Sequence, residues 1–185
     1  MTEKPLKLKK MVVLVGMMGS GKTAVGKALA EKLAVDFLDS DHEIEEAATM
    51  SISEIFVRDG EKFFRDRETE VIRRLLESEI AILSTGGGAF LSDRNREMIS
   101  DIGVSVWLDA DIELLWNRVK HKDTRPLLRT DNPKQTLTDL YNARVPFYSQ
   151  ADMAVKARAE YAISDMADAV IAALKSRSDI VEEIK

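Results

Sequence analysis

Short apolar runs alternate with helical patterns along the whole chain of 185 residues. Five of these runs predict β-strands, at residues 11–15, 37–39, 81–84, 104–108 and 153–156. The stretches between them carry apolar residues at helical spacing, most clearly between Ile163 and Leu174. Strands that are apolar on both faces and alternate with helices predict a parallel sheet covered by helices, which is an α/β fold. Because ligands of such sheets bind beyond the carboxyl ends of the strands, functional residues are expected directly after the apolar runs.

At this length the chain is expected to form a single domain, residues 1–185. Two segments do not fit a simple crossover between strands. Residues 41–78 contain two or three helical patterns, and residues 121–133 are short, charged and bounded by proline. Both segments are predicted to be insertions. Residues 175–185 are expected to be a frayed helix end or a short tail.

The first apolar run leads into a glycine-rich loop. Its residues are Gly16, Met17, Met18, Gly19, Ser20, Gly21, Lys22 and Thr23. A strand, a loop with this spacing and a following helix form the pattern of a phosphate-binding P-loop, in which backbone N–H groups and the helix N-terminus face phosphate oxygens. Lys22 would reach the β- and γ-phosphates, and Thr23 would bind Mg²⁺. The alternative is a glycine turn that caps an ordinary helix, but the spacing favours binding of a nucleoside triphosphate.

Composition restricts the other partners. The net charge of −5 argues against nucleic-acid and membrane-surface binding, since both require a basic face. The chain has no cysteine, which excludes disulfides and thiol catalysis, and only two histidines, which argues against a histidine-rich metal centre. No apolar stretch reaches the roughly 20 residues that span a bilayer. We therefore expect a cytoplasmic protein, with a monomer as the simplest assembly.

Two aspartates follow the second apolar run, in the sequence Asp39-Ser40-Asp41. Beside a P-loop, one carboxylate can hold Mg²⁺ through its waters and the other can accept a proton from a substrate hydroxyl. The alternative is a helix N-cap, in which a carboxylate accepts hydrogen bonds from the first helical N–H groups.

Glycines and further aspartates follow the next two runs. Gly86, Gly87 and Gly88 follow the third run, where their lack of a side chain would let a ligand approach the backbone, or they provide only a flexible connection. Asp109 and Asp111 follow the fourth run. Asp109 resembles the Mg²⁺-binding aspartate of a Walker B strand, but we favour a strand end and helix cap here.

Three arginines lie in segments that can reach the site. They are Arg65, Arg125 and Arg144. Arginine recognises carboxylates and phosphates with a planar pair of donors and keeps its charge when water is excluded. The alternative for each one is a solvated surface charge.

Together these motifs occur in the order found in shikimate kinases, which phosphorylate the 3-hydroxyl of shikimate with ATP on the route to aromatic amino acids. The chain resembles this family over about residues 11–175. Besides the P-loop, the resemblance rests on Leu38-Asp39-Ser40-Asp41, on Gly60-Glu61 with Phe64-Arg65 and Glu68, on Gly86-Gly87-Gly88, on Arg125-Pro126-Leu127-Leu128, and on Arg144 before Pro146 and Tyr148. It implies a three-layer α/β/α P-loop kinase fold with a five-stranded parallel sheet, a helical substrate-binding insertion (41–78) and a mobile lid (121–133).

For the acceptor, the resemblance implies that Asp41 hydrogen-bonds the shikimate hydroxyls and acts as, or assists, the base. Arg65 and Arg144 would bind the shikimate carboxylate, and Glu68 would hold Arg65 in place. The glycines at 86–88 would line the pocket of the ring.

For the nucleotide, the resemblance implies that the P-loop residues bind ATP and that Lys22 and Arg125 stabilise charge on the transferring phosphoryl group. Thr23 would coordinate Mg²⁺, and Asp39 would contact it through water. Arg118 would stack on the adenine.

Two points leave alternatives open. After the last predicted strand, many family members carry proline in the adenine loop, whereas this chain has Ala157-Arg158-Ala159-Glu160. The rival enzymatic functions are a gluconate-type kinase and a nucleoside-monophosphate kinase of similar architecture. A nucleotide-dependent switch is a third possibility, but the chain lacks the Asn-Lys-x-Asp and Asp-x-x-Gly motifs of GTPases.

Overall fold

The computed structural model describes residues 4–121 and 125–185. Its strands are β1 (Leu6–Leu8), β2 (Val12–Val15), β3 (Asp36–Asp39), β4 (Ala81–Ser84), β5 (Val104–Asp109), β6 (Met153–Lys156) and β7 (Val181–Glu183). Its α-helices are α1 (Lys22–Leu33), α2 (Ser40–Ala48), α3 (Ile52–Leu76), α4 (Asp93–Ile102), α5 (Ile112–Val119), α6 (Pro133–Tyr148) and α7 (Ile163–Leu174). Two short 3-10 helices cover Ala89–Leu91 and Pro126–Leu128.

The five predicted strands form one parallel sheet in the order β3-β4-β2-β5-β6. Every residue of the central strand β2 is at most 1% exposed, and Ala81, Ile82 and Leu83 of β4 are fully buried. Continuous apolar runs are therefore explained by burial on both faces of the sheet. The prediction of a five-stranded parallel sheet is confirmed.

Helices cover both faces of this sheet because the chain crosses it in two directions. From β2 it passes through α1 to β3 at one edge, and from β4 it passes through α4 to β5 on the other side of β2. Right-handed crossovers that run in opposite directions place α1 and α4 on opposite faces. Helix α1 packs against α7, and α4 packs against β5 and α3. The predicted α/β/α class is confirmed.

The register of the strands brings the predicted functional segments to one edge of the sheet. Leu14 pairs with Ser84 on one side and with Val106 on the other, and Ser84 also pairs with Asp39. Thr85 adds hydrogen bonds from its backbone N–H (3.3 Å) and its hydroxyl (3.1 Å) to the Leu14 carbonyl. The P-loop, the glycines at 86–88 and the aspartates after β3 therefore leave the sheet at the same level.

Helices α2 and α3 form within the predicted insertion, residues 41–78. Helix α3 is broken at Gly60, whose φ of 85° and ψ of 171° are not helical and are accessible almost only to glycine. This break explains why the sequence contains two or three helical patterns here. The insertion as a separate substrate-binding unit stays a prediction.

The predicted lid, residues 121–133, falls partly outside the described residues, at 122–124. The described part contains the 3-10 helix Pro126–Leu128, and Asn132 caps α6 by accepting a hydrogen bond from the Gln135 N–H at 3.2 Å. Its mobility stays a prediction. No helix in the described ranges is long and apolar enough to cross a membrane.

The expectation for residues 175–185 is wrong, because they include a strand. Strand β7 pairs antiparallel with β1, with Leu8 opposite Val181. Ion pairs join the two segments, from Lys9 to Glu182 at 3.6 Å and from Lys10 to Asp179 at 3.2 Å. Three-residue strands are too short to show a periodic pattern, and the complementary charges lie about 170 positions apart in the sequence.

We predict that packing of this terminal ribbon contributes to stability. Leu8 is 5% exposed, so Leu8→Ala should lower the free energy of unfolding by about 2–3 kcal/mol through lost burial and a cavity. Ile184, which is 45% exposed, provides the control, and Ile184→Ala should change stability by no more than about 0.5 kcal/mol. Urea unfolding measures both. Equal effects of the two substitutions would contradict a packed ribbon.

Candidate active site

A cleft of about 1480 Å³ opens at the carboxyl edge of the sheet. Ligand pockets for one small molecule are typically about 300–1,000 Å³, so this cleft can hold a nucleotide and a second small molecule together. All of the site residues predicted from the sequence line it except Gly16 and Met17. The structure therefore brings together the P-loop, both aspartates, the three glycines and the four arginines.

The P-loop turns tightly around its glycines. Gly16, Gly19 and Gly21 have φ values of 147°, 80° and 94°, a region that favours glycine. A Cβ added at Gly19 would lie 2.7 Å from the Val119 side chain, so space also requires glycine there. Helix α1 starts at Lys22 without a side-chain cap. Its first N–H groups are therefore available to an anion.

Gly16 and Met17, which do not line the cleft, bind the side chain of Lys22, which does. Its Nζ donates hydrogen bonds to the carbonyl oxygens of Gly16 at 2.7 Å and Met17 at 3.0 Å. Burial, followed by the positive charge of Arg125, lowers the pKa of Lys22 to about 8. An anionic ligand beside its Nζ would favour the charged form of the lysine.

Arg125 and Arg118 add cationic groups to the same cleft. The Nε of Arg125 is buried and has no hydrogen-bond partner among the described residues. Arg118 is held by a hydrogen bond from its Nη1 to the Gly19 carbonyl at 3.1 Å. A ligand oxygen is one group that would satisfy this nitrogen.

Arg65 is held by a buried carboxylate. Its Nη1 lies 2.9 Å from Glu68 Oε1, and the Glu68 side chain is 1% exposed. Burial raises the pKa of Glu68, while the neighbouring Arg65 opposes that rise. This ion pair holds the Arg65 guanidinium in place, as predicted. Both residues line the cleft.

Each of the three consecutive glycines lies beneath a different functional side chain. A Cβ added at Gly86 would lie 2.7 Å from Asp41 Oδ1, and one added at Gly87 would lie 2.8 Å from Arg144 Nη1. A Cβ at Gly88 would overlap the Arg65 guanidinium. None of the three has a positive φ, so close approach, not turn geometry, requires glycine here. The family resemblance implies a ligand in this space, but protein side chains already use part of it.

The two aspartates after β3 have different environments. Helix α2 begins at Ser40, and Asp39 Oδ1 accepts hydrogen bonds from the N–H groups of Asp41 (2.9 Å) and His42 (3.2 Å). The capping interpretation is therefore confirmed for Asp39. Asp41 lies in the first turn of α2, where burial and then the charge of Asp39 raise its pKa to about 6, against the attraction of Lys22.

The donor set fits Mg²⁺ bound together with a nucleotide. Thr23 and Asp39 both line the cleft, and capping engages Asp39 only through Oδ1. Within residues 4–121 and 125–185, no group of three acidic, histidine or cysteine side chains could hold a metal by itself. Mg²⁺ usually takes one or two protein oxygens and completes its shell with phosphates and water, so a cage is not required.

Asp109 ends β5 and does not line the cleft. Its Oδ2 lies 3.8 Å from Lys156 Nζ, which also contacts Asp111 Oδ1 at 2.6 Å. These contacts support the strand-end interpretation of Asp109 over a Walker B role. Asp111 occupies the N-cap position of α5, but its side chain accepts no capping hydrogen bond, so the expected side-chain cap is wrong.

Several residues of the cleft were not predicted, among them Tyr161, Ala162, Ile163 and Met166, around the start of α7. They follow the segment where this chain departs from the proline pattern of the family. Ile163 and Met166 belong to the predicted helical pattern, in which Met166 is buried but Ile163 is 54% exposed. Periodicity alone does not distinguish a helix end that packs on the core from one that faces a ligand.

Comparisons with known proteins agree with this geometry. The family model for shikimate kinase matches residues 18–175. The chain belongs to the shikimate kinase family. The shikimate kinase of Ruegeria pomeroyi is 66% identical over 175 residues, which cover 95% of this chain and 90% of that protein.

Solved structures give the same result. Shikimate kinase from Acinetobacter baumannii, determined in complex with shikimate, aligns with a TM-score of 0.83 and 40% identity over 90% of this chain and 93% of that one. A gluconokinase from Sinorhizobium meliloti aligns with a TM-score of 0.62 over 92% of this chain and 94% of that one, but at 18% identity it shares the fold alone. The predicted family, and the class of ATP-dependent kinase that acts on an alcohol group, are confirmed.

We predict that ionised Asp41 destabilises the ligand-free protein. Its folded pKa of about 6 lies above the ordinary value of 3.8, so the folded state retains a proton that the unfolded chain has released. Stability should therefore decrease as pH rises from about 4 to 6, and the deficit should persist above that range. Asp41→Asn should raise the free energy of unfolding at pH 7.5, and the gain should disappear near pH 4.

Urea unfolding of both proteins at several pH values measures this difference. Asp36→Asn, at an exposed position of β3, is the matched control and should produce no comparable gain. A gain from Asp41→Asn that is the same at pH 4 and pH 7.5 would show that ionisation is not its cause.

Proposed function

We propose that the chain transfers the γ-phosphate of ATP to the 3-hydroxyl of shikimate, giving shikimate 3-phosphate and ADP for aromatic amino-acid biosynthesis. The observation that carries the proposal is a single cleft with a P-loop at one part of its wall and Arg65, Arg144 and Asp41 at another. A P-loop supplies a site for the donor phosphates. Two arginines and a carboxylate supply what a small hydroxylated acid requires.

Arg65 and Arg144 would bind the carboxylate of shikimate. Guanidinium groups form paired, charge-assisted hydrogen bonds with carboxylates. Glu68 holds Arg65 before the substrate arrives, so little ordering is required on binding. The backbone at residues 86–88 would lie along the ring.

Asp41 would accept the proton of the 3-hydroxyl or orient that hydroxyl. With a pKa of about 6 it is mainly ionised at neutral pH, yet it is more basic than an ordinary aspartate. A base whose pKa is near the working pH combines the correct protonation state with useful proton affinity.

Lys22 and Arg125 would stabilise charge on the transferring phosphoryl group. Phosphoryl transfer depends mainly on positioning and charge neutralisation. Thr23 and Asp39 would hold Mg²⁺, Asp39 through water. When bound, Mg²⁺ neutralises charge on the β- and γ-phosphate oxygens.

The remaining contacts concern the nucleotide and the enclosure of the site. Residues 16–23 would surround the phosphates, and Arg118 would stack on adenine. Closure of the lid, residues 121–133, would exclude water and bring Arg125 to the γ-phosphate. We also propose that the enzyme acts as a monomer in the cytoplasm, where ATP is supplied, without a nucleic-acid or membrane partner.

Acceptor specificity tests the proposed reaction directly. Purified protein with ATP and Mg²⁺ should form ADP rapidly with shikimate, and the product should carry phosphate on the 3-hydroxyl by NMR. Gluconate and nucleoside monophosphates are the matched alternative acceptors and should give only background ADP. Turnover with one of them and none with shikimate would overturn the proposal.

Substitutions in the nucleotide part and in the acceptor part of the cleft should change different kinetic constants. Arg125→Ala should lower kcat by about 10³-fold with a much smaller change in the KM for ATP, because its charge is needed mainly in the transition state. Arg65→Ala should mainly raise the KM for shikimate, because it binds a carboxylate remote from the reacting oxygen.

Steady-state kinetics with both substrates varied measures these effects. Arg67→Ala is the control, since Arg67 forms the same i,i+3 ion pair on α3, with Glu70 at 2.8 Å, but on the exposed surface. Its constants should equal those of the wild type. A kcat for Arg125→Ala within a few-fold of wild type would refute its assigned role.

A further inference from the structure

The hydroxyl of Tyr148 lies between two parts of the acceptor site. Tyr148 is the last residue of α6 and is fully buried. Its hydroxyl donates a hydrogen bond of 2.7 Å to the carbonyl oxygen of Gly87. Arg144, one helical turn earlier, approaches the same glycine with its Nη1. The buried hydroxyl thus donates to the glycine segment, and its oxygen, which can still accept a hydrogen bond, lies near an arginine of the cleft.

We propose that the Tyr148 hydroxyl is a positioning group for acceptor binding, which sets the orientation of Arg144 relative to Gly87. This inference rests on the proposed function of the cleft. Tyr148 itself does not line the cleft, so it acts through Arg144 and the backbone at Gly87.

The packing around Gly87 leaves little freedom for Arg144. A Cβ added at Gly87 would lie 2.8 Å from Arg144 Nη1 and 3.6 Å from the Tyr148 hydroxyl. The guanidinium therefore lies directly over a glycine, and no side chain at residue 87 can fix its position. The Tyr148 hydroxyl, which is hydrogen-bonded to that backbone, is the neighbouring group that would orient Arg144.

The rest of the tyrosine is held independently of this hydrogen bond. Its ring packs against Trp107 of β5, with centroids 6.3 Å apart. Burial raises the pKa of Tyr148, with Arg144 opposing the rise, so the hydroxyl keeps the proton that it donates to Gly87. Phenylalanine at this position would retain the packing and remove only the hydroxyl, with its hydrogen bond to Gly87.

Arg65 is held differently, by an ion pair with the Glu68 carboxylate on its own helix. The two arginines proposed to bind the carboxylate are therefore fixed by different chemistry, one by an ion pair and the other by a neutral hydroxyl. Because the Tyr148 hydroxyl is neutral, the full positive charge of Arg144 stays available to an anionic ligand.

Tyr148→Phe tests the proposal. Loss of the hydroxyl that orients Arg144 should raise the KM and the Kd for shikimate about 5- to 30-fold. The KM for ATP should be unchanged, and kcat should remain within about 3-fold of wild type. Tyr141→Phe is the matched control, because it removes a hydroxyl from the same helix at a residue outside the cleft wall, and it should leave all constants unchanged.

A double-mutant cycle separates positioning from a general structural role. In an Arg144→Ala background, Tyr148→Phe should change the KM for shikimate by less than about 2-fold, because the group that it positions is absent. An equal effect in both backgrounds, or a lower melting temperature with an unchanged KM, would overturn the proposal. If wild type fails to phosphorylate shikimate, the proposed function fails instead, and that measurement is made first.

Discussion

The crowding of one lysine and four arginines into one cleft is the constraint on which this site depends. Lys22 has a lowered pKa because it is buried near Arg125 and Arg144. Two of these cations are held by specific acceptors: two P-loop carbonyls hold Lys22, and Glu68 holds Arg65. An anion bound in the cleft would offset the cost of bringing the positive charges together.

The two aspartates show how one short motif supplies two different groups. Asp39 caps helix α2, and this cap starts the helix that carries Asp41 into the cleft. The negative charge of Asp39 in turn helps raise the pKa of Asp41. The capping role of Asp39 and the proposed chemical role of Asp41 are therefore compatible. The cap helps to place Asp41 in the cleft.

Much of the fold could be predicted because its signals are local. Two of the five sheet strands, β4 and β6, have the predicted limits to the residue, and each of the other three differs from its prediction by one residue at one end. The P-loop and the triple glycine were also evident, because each requires a particular residue type at a particular spacing.

Features that depend on distant pairing were not evident. The β1–β7 ribbon joins the two ends of the chain, and the hydroxyl of Tyr148 meets Gly87 across 61 positions of sequence. Ile163 fits the helical pattern of α7, but that pattern does not show whether it packs on the core or, as in the structure, lines the cleft. Sequence periodicity describes one element at a time, whereas these contacts arise only when elements are assembled.

The glycines beneath Asp41, Arg144 and Arg65 have an evolutionary consequence. Any side chain introduced there would collide with the protein's own functional groups before a substrate arrived. Selection against larger residues at 86–88 would consequently persist in a descendant that had changed its acceptor, provided that it kept the same aspartate and arginines. An unbroken glycine triplet is thus a record of how the side chains above it are packed, and by itself it does not identify the molecule being phosphorylated.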